Sequence, residues 1–196
     1  MPCTLIRLAG CPLNCGYCDT PEAIPMESGQ PMPIADIVEQ VQQARRPLVL
    51  VTGGEPLAQK QCLALLEALT ACDAVVQLET SGALDISRVP PHVRRIVDIK
   101  TPGSGESHRN RWQNLAHLHH GDELKFVLTG REDYLWSLDC IRKHKLASLD
   151  IPMLFSPCWG QLEPQELSRW LLEDNPPVRL QLQQHKSIWG HQAVGV

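Results

Sequence analysis

The sequence predicts an α/β protein built as an open, partial barrel of parallel strands. Three observations point there: strand-length apolar runs that recur along the chain, helical patterns set between several of them, and the chain's length. The runs are near-continuous in Val, Ile and Leu, as in parallel strands covered on both faces. A closed eight-fold barrel typically takes about 250 residues, and this chain has 196.

The elements follow in order. A first strand over Cys3–Ala9 leads into a loop carrying Cys11, Cys15 and Cys18. Ile34, Ile37, Val38 and Val41 then repeat at the i, i+3, i+4, i+7 spacing of an amphipathic helix. That helix should stop near Arg45-Arg46-Pro47, basic residues followed by a breaker. A second strand, Leu48–Thr52, meets Gly53-Gly54-Glu55-Pro56 and a helix over Leu57–Ala71. The third, Val75–Glu79, runs into Thr80-Ser81-Gly82, and the fourth, Arg95–Lys100, ends on Asp98 and Lys100. A fifth strand over Glu123–Thr129 precedes a helix over Glu132–Lys145 with Tyr134, Leu135, Leu138 and Ile141 inward. Ile151–Ser156, a shorter helix over Glu163–Leu172 and Val178–Gln183 complete the pattern. Such sheets bind ligands at the carboxyl ends of their strands. The cysteine loop, the Gly-Gly-Glu-Pro turn, the Thr-Ser-Gly turn and the Asp98/Lys100 pair all fall there, so one active site is expected.

Composition narrows the class. At 43% hydrophobic residues the chain can bury one substantial core, and a single domain over 1–196 is expected. The formal charge of −4, with no long run of one sign, argues against a nucleic-acid surface. Eight cysteines without a signal peptide suggest a reducing cytoplasm, and no apolar run reaches membrane-spanning length.

The cysteines carry the chemistry. Cys11, Cys15 and Cys18 stand at C-x3-C-x2-C spacing in the run C-P-L-N-C-G-Y-C. Three thiolates on one short loop can hold three irons of a 4Fe–4S cluster and leave the fourth free for a small molecule. All-protein sites supply four cysteines, but the next one here is Cys62. A Cys3His zinc site is the alternative, although no histidine lies between Cys18 and His92. Gly53 and Gly54 would let backbone approach a ligand. Glu79-Thr80-Ser81-Gly82 reads equally as a simple turn, and Asp98 with Lys100 as a surface ion pair. Arg7 lies mid-strand, either snorkelling to solvent or meeting a carboxylate or the edge of a polar ring. Cys62, Cys72, Cys140 and Cys158 read as buried small apolar residues. His117, His119 and His120 match no metal site that the spacing identifies. The five tryptophans, Trp112, Trp136, Trp159, Trp170 and Trp189, read as packing or interface residues.

The cysteine loop resembles that of the radical S-adenosylmethionine (SAM) enzymes. Its flanks are more specific. Arg7-Leu8-Ala9-Gly10-Cys11, Cys18-Asp19-Thr20, the stretch Asp98–Glu106, Asp122–Val127, Arg131–Tyr134 and Gln181–Lys186 resemble the 7-carboxy-7-deazaguanine synthases, in that family's order. The resemblance implies the radical SAM type of partial barrel and a lyase converting 6-carboxy-5,6,7,8-tetrahydropterin to 7-carboxy-7-deazaguanine with loss of ammonia. It implies a 4Fe–4S cluster on Cys11, Cys15 and Cys18, cleavage of SAM to a 5′-deoxyadenosyl radical, and regeneration of SAM. Gly53, Gly54, Glu55, Glu79, Ser81, Asp98 and Lys100 would contact SAM, and Thr20 would ligate Mg²⁺. Arg7, Thr52, His185 and the terminal carboxylate of Val196 would contact the pterin. A homodimer and an electron donor such as flavodoxin or ferredoxin are implied too. Family members begin with a further strand and a Q-G-E-G-like segment; Met1-Pro2-Cys3 opens almost directly on the Arg7 strand, so those contacts are expected to be missing. A glycyl-radical-enzyme activase, sharing the cysteine loop and the Gly-Gly-Glu-Pro turn, or an inactive truncated iron–sulfur homologue are the alternatives.

Overall fold

The computed structural model describes residues 1–190, and of His185 only the backbone. Seven strands, β1 (Cys3–Leu8), β2 (Leu48–Gly53), β3 (Val75–Thr80), β4 (Arg94–Asp98), β5 (Glu123–Leu128), β6 (Met153–Pro157) and β7 (Arg179–Leu180), pair in sequential order. Every pairing is parallel. β1 and β7 are the two edges, so the barrel is open, as expected.

Helices α1 (Ile34–Ala44), α2 (Cys62–Thr70), α3 (Arg131–Lys143) and α4 (Pro164–Asp174) fill four of the six crossovers, and α5 (Gln184–Trp189) follows β7. No α-helix lies between β3 and β4, and only short 3-10 turns separate β4 from β5. The helix ends follow local chemistry. α1 stops where Arg45 turns left-handed at φ 50°, two residues before Pro47. α3 carries Glu132 and Asp133 in its first turn and Arg142 and Lys143 in its last, matching the helix dipole. α4 starts on Pro164 and ends on left-handed Asn175.

Three expectations are corrected. β6 is buried along its whole length, but β2, β3 and β5 are not covered on both faces: Val49, Val51, Val76, Leu78, Leu124, Phe126 and Leu128 are buried in the core, while Leu50, Thr52, Glu79 and Lys125 line an open concave face. The helix expected from Leu57 begins only at Cys62. The Glu55 carboxylate accepts from Leu57 N and fixes a 3-10 turn over Pro56–Ala58, after which Gln59 is extended and donates its amide to Ala9 O. The final strand is two residues long. Beyond Gln181, whose N–H still reaches Phe155 O, the chain leaves the sheet and His185-Lys186 lie on α5. Cys62, Cys140 and Cys158 are buried as expected, but Cys72 is half-exposed.

At the opposite end from the strand C-termini, Asp122 and Arg95 form a buried ion pair at 2.7 Å. Asp122 also accepts from Arg95 N (2.8 Å) and His119 N (2.9 Å), joining the starts of β4 and β5. Asp122→Ala would strand a buried guanidinium, and breaking such a pair typically costs about 3–5 kcal/mol. Urea unfolding should show a loss of that size, while the native fraction keeps its cavity chemistry.

Candidate active site

A cavity of about 1120 Å³ opens at the carboxyl ends of the strands. Cys11, Cys15 and Cys18, half-buried free thiols, line it together with Arg7, Thr20, Thr52, Gly53, Gly54, Glu79, Ser81, Asp98, Lys100 and Lys125. The residues that the sequence assigns to cluster, cofactor and substrate thus meet in one space, with Glu55 behind its wall.

The cysteine loop is held from outside by the segment after β4. Gly16 N donates to Ser104 O (3.0 Å) and Asn14 N to Glu106 Oε1 (2.9 Å). That segment is itself pinned by Asp133 at the start of α3, which accepts from Gly103 N and Thr129 N. Burial pushes the Cys11 and Cys15 thiols above their ordinary pKa. Ligation requires thiolates, so metal binding here must release protons. Among the described residues no three His, Cys, Asp or Glu side chains converge closely enough to hold a single metal ion. The fit of the loop to a cluster therefore rests on its donors, three soft sulfurs facing one cavity, which suit iron–sulfur chemistry.

The Gly-Gly-Glu-Pro turn also has a basis in packing. A Cβ on Gly53 would fall on the Leu8 carbonyl, and one on Gly54 would crowd the Gly10 carbonyl and Ala23 O. The glycines let β2 close against the cysteine loop: Gly54 N donates to Leu8 O (2.9 Å) and Glu55 N to Gly10 O (2.8 Å). Glu55 is fully buried and its carboxylate is spent internally. It accepts from Leu57 N (3.0 Å), Thr80 Oγ1 (2.8 Å), Ser81 N (2.6 Å) and Ser81 Oγ. Glu55 thus ties the loop after β2 to the loop after β3, leaving the backbone of Gly53 and Gly54 and one face of Ser81 toward the cavity.

Asp98 and Lys100 are no surface pair. Lys100 Nζ donates to Asp98 Oδ2 at 2.8 Å, and both are largely buried. Burial is the largest influence and opposes the Lys100 charge, yet Asp98 and the neighbouring Tyr17 and Cys15 together hold the ammonium above its usual pKa. Asp98 Oδ1 and the Tyr17 hydroxyl are buried without a hydrogen-bond partner. Both residues line the cavity beside the cysteine loop. A buried carboxylate oxygen left unpartnered is costly, and a cofactor hydroxyl would satisfy it.

Across the cavity, Arg7 Nη1 donates to Thr20 Oγ1 (3.2 Å), which donates to Asp19 Oδ1 (3.2 Å). Thr20 precedes a 3-10 turn over Pro21–Ala23 but makes no side-chain cap there, so its hydroxyl stays with the cavity. Asp19 Oδ2 accepts from Gln183 Nε2 at 2.7 Å and lies 3.9 Å from Lys186 Nζ, bridging the open seam between the first loop and α5. Thr52 Oγ1 donates to Glu79 Oε2 (3.2 Å), and Lys125 Nζ donates to Glu79 Oε1 (3.0 Å). Lys125 holds the Glu79 carboxyl below the ordinary carboxylate range. Glu79, expected among the SAM contacts, is thus bonded to Thr52, a residue expected on the substrate. His185 sits on α5 with its side chain outside the description, and Val196 lies outside the described residues.

Sequence reading assigned no role to Lys125, Tyr17, Asp19 or Gln183. For Lys125 a signal existed: like Arg7, it is a charge inside an apolar strand run. Gln183 carried none, because its partner is 164 residues away. The histidine run serves the far end of the sheet, where His119 Nδ1 lies 3.7 Å from Asp122.

Comparison with known proteins agrees with this geometry. Residues 5–101 match the model of the radical SAM superfamily. The chain is 44% identical to a 7-carboxy-7-deazaguanine synthase of Chlorobaculum tepidum, covering all of this chain and 89% of the relative. It is 38% identical to that of Koribacter versatilis, covering 100% and 92%, and 34% identical to that of Methanospirillum hungatei, covering 95% and 77%. Among solved structures, Streptococcus suis SuiB bound to S-adenosylmethionine superposes with a TM-score of 0.68 at 14% identity. That match covers 92% of this chain and 50% of SuiB, a likeness of fold.

Proposed function

The chain belongs to the 7-carboxy-7-deazaguanine synthases of the radical SAM superfamily, and on that premise we propose that its cavity performs their ring contraction. The reaction converts 6-carboxy-5,6,7,8-tetrahydropterin to 7-carboxy-7-deazaguanine and releases ammonia. One observation carries the proposal: the three loop thiols, the half-satisfied Asp98 and the Arg7–Thr52–Glu79 set all face one cavity. When bound, the cluster and SAM supply a carbon-centred radical that takes a hydrogen atom from the substrate.

The chain's own residues bind, orient and shield. Cys11, Cys15 and Cys18 hold three corners of the cluster, and the buttress from Ser104 and Glu106 keeps their loop rigid. Asp98, through its unpartnered Oδ1, Lys100, the backbone of Gly53 and Gly54, and Ser81 would hold the polar groups of SAM. Arg7 suits the substrate carboxylate because a guanidinium offers paired donors to it. Thr52 and Glu79 take the hydrogen-bonding edge of the pterin, and His185 and Val196 join by family resemblance. Thr20 and Asp19 offer hard oxygens to Mg²⁺, which keeps few protein ligands. Arg7 donates to one lone pair of the Thr20 hydroxyl at 3.2 Å, leaving the second lone pair for a metal ion. A flavodoxin or ferredoxin supplies the electron, and the chain acts as a homodimer, for which Leu182, Ile188 and Trp189 offer exposed apolar surface. No helix among the described residues is long and apolar enough to cross a membrane.

The test is anaerobic reconstitution with iron and sulfide, followed by incubation with SAM, reductant, Mg²⁺ and the pterin. Mass spectrometry should find 7-carboxy-7-deazaguanine over many turnovers, at a lower rate when Mg²⁺ is omitted. Formation of 5′-deoxyadenosine with no such product would refute the substrate assignment.

A further inference from the structure

We infer that Lys125 is a positioning residue for substrate binding, its ammonium fixing the Glu79 carboxylate against Thr52 in the substrate half of the cavity. The inference rests on the reading of Thr52 and Glu79 given above, and it concerns a residue to which neither sequence pattern nor resemblance gave a task.

Lys125 lies mid-strand in β5, between Leu124 and Phe126, whose side chains are fully buried in the core. Its own side chain goes to the opposite, concave face and is four-fifths buried. A charge placed there is retained only if it is paired. Its partner is not on a neighbouring strand: β4 separates β5 from β3, and Lys125 is in register with Asp98. The ammonium therefore passes over β4 to reach Glu79 Oε1, leaving Oε2 for the Thr52 hydroxyl.

The resulting row alternates in sign across the cavity floor: Glu79, Lys125, Asp98, Lys100. Glu79 faces Lys125 from β5, the Thr52 hydroxyl from β2 and the Asp19 carboxylate from the cysteine loop. Lys125 faces Glu79, Asp98 and Lys100. Without Lys125, Asp98 keeps Lys100, but Glu79, with the Asp19 carboxylate still nearby, loses the one ammonium bonded to it. It would then protonate or turn away from Thr52, and in either case lose its acceptor geometry. The direction of both titrations agrees, since Lys125 depresses Glu79 and Glu79 sustains the charge on Lys125. Because Lys100 continues to hold Asp98, the SAM half should be spared.

The experiment compares wild type with Lys125→Met and Lys125→Arg as reconstituted holoenzymes. It measures iron content, SAM affinity by equilibrium dialysis, and KM and kcat for the tetrahydropterin. Lys125→Met should raise KM about 10- to 100-fold, the worth of one charge-assisted bond. SAM affinity and iron content should stay within about two-fold of wild type. Lys125→Arg should recover most of the loss. If Lys125→Met fails to fold, the pair Lys125→Met with Glu79→Gln removes the lone buried charge and should fold with the same raised KM. An unchanged KM in a folded variant would overturn the inference while leaving the function intact, as would equal losses of SAM and pterin affinity. A wild type that neither binds nor converts the pterin would overturn the functional reading, and this inference with it.

Discussion

Cys15→Ser is expected to leave a folded protein without a functional cluster, with turnover reduced by more than about 10³-fold. A serine oxygen is a poor exchange for a thiolate on iron, whose cluster chemistry selects soft donors. The loop itself should survive, because the hydrogen bonds that hold it run through the backbone of Asn14, Gly16 and Cys18 rather than through the thiol. Iron analysis and visible absorption after reconstitution check the first statement, and urea unfolding of the metal-free protein checks the second. Cys62→Ser is the matched control. Cys62 lies in the core on α2, where burial pushes its thiol up to about 12, so it stays protonated and away from metal chemistry. That variant should reconstitute with wild-type iron content, losing only some stability.

Glu55→Ala should produce the largest combined loss of stability and cofactor affinity of any substitution outside the cysteines. The carboxylate receives four donors, two from backbone and two from hydroxyls, in a site closed to solvent. Each buried donor left without a partner costs about 1–3 kcal/mol, so a total near 4 kcal/mol or above is expected even if water enters. Thr80 and Ser81 would no longer be drawn toward the Gly-Gly turn, and the two loops that frame the SAM half would separate. Urea midpoints and SAM dialysis should therefore change together. Loss of SAM affinity at unchanged stability would instead mean that Glu55 touches the cofactor directly.

What was legible in the sequence follows the range of the interactions. The cysteine triplet is a local pattern, and the ends of α1, α3 and α4 are written in Pro, Asn and paired charges within a turn or two of each helix. The strands were legible as apolar runs, but not their exposure. Arg7, Thr52, Glu79 and Lys125 each fall on the alternate positions of their own strand that face the cavity, the period of one open face, but a single polar side chain within an apolar run leaves that run looking buried. α2 is shorter than its periodicity predicts because Glu55, by accepting from Leu57 N, sets up a turn that helical periodicity does not register. β7 is shorter than its apolar run because an edge strand pairs on one side only, and the chain turns at Gln183 into α5, where the Gln183 side chain reaches Asp19. Gly53 and Gly54 read as freedom toward a ligand, and the carbonyls of Leu8 and Gly10, distant in sequence, demand them as well. Residues that act across the cavity, such as Lys125 upon Glu79, carry no mark beyond being charged where a strand should be apolar.

The cofactor and substrate halves of one cavity are expected to bring SAM and the pterin into contact. The direct measurement uses 6-carboxy-5,6,7,8-tetrahydropterin deuterated at the carboxylate-bearing carbon, with the reconstituted wild-type protein under turnover. Deuterium is predicted to appear at the 5′ carbon of SAM, with SAM not consumed in proportion to product. Product formed while both SAM and 5′-deoxyadenosine stay free of label would contradict this contact, and label confined to 5′-deoxyadenosine released once per turnover would contradict the regeneration of SAM.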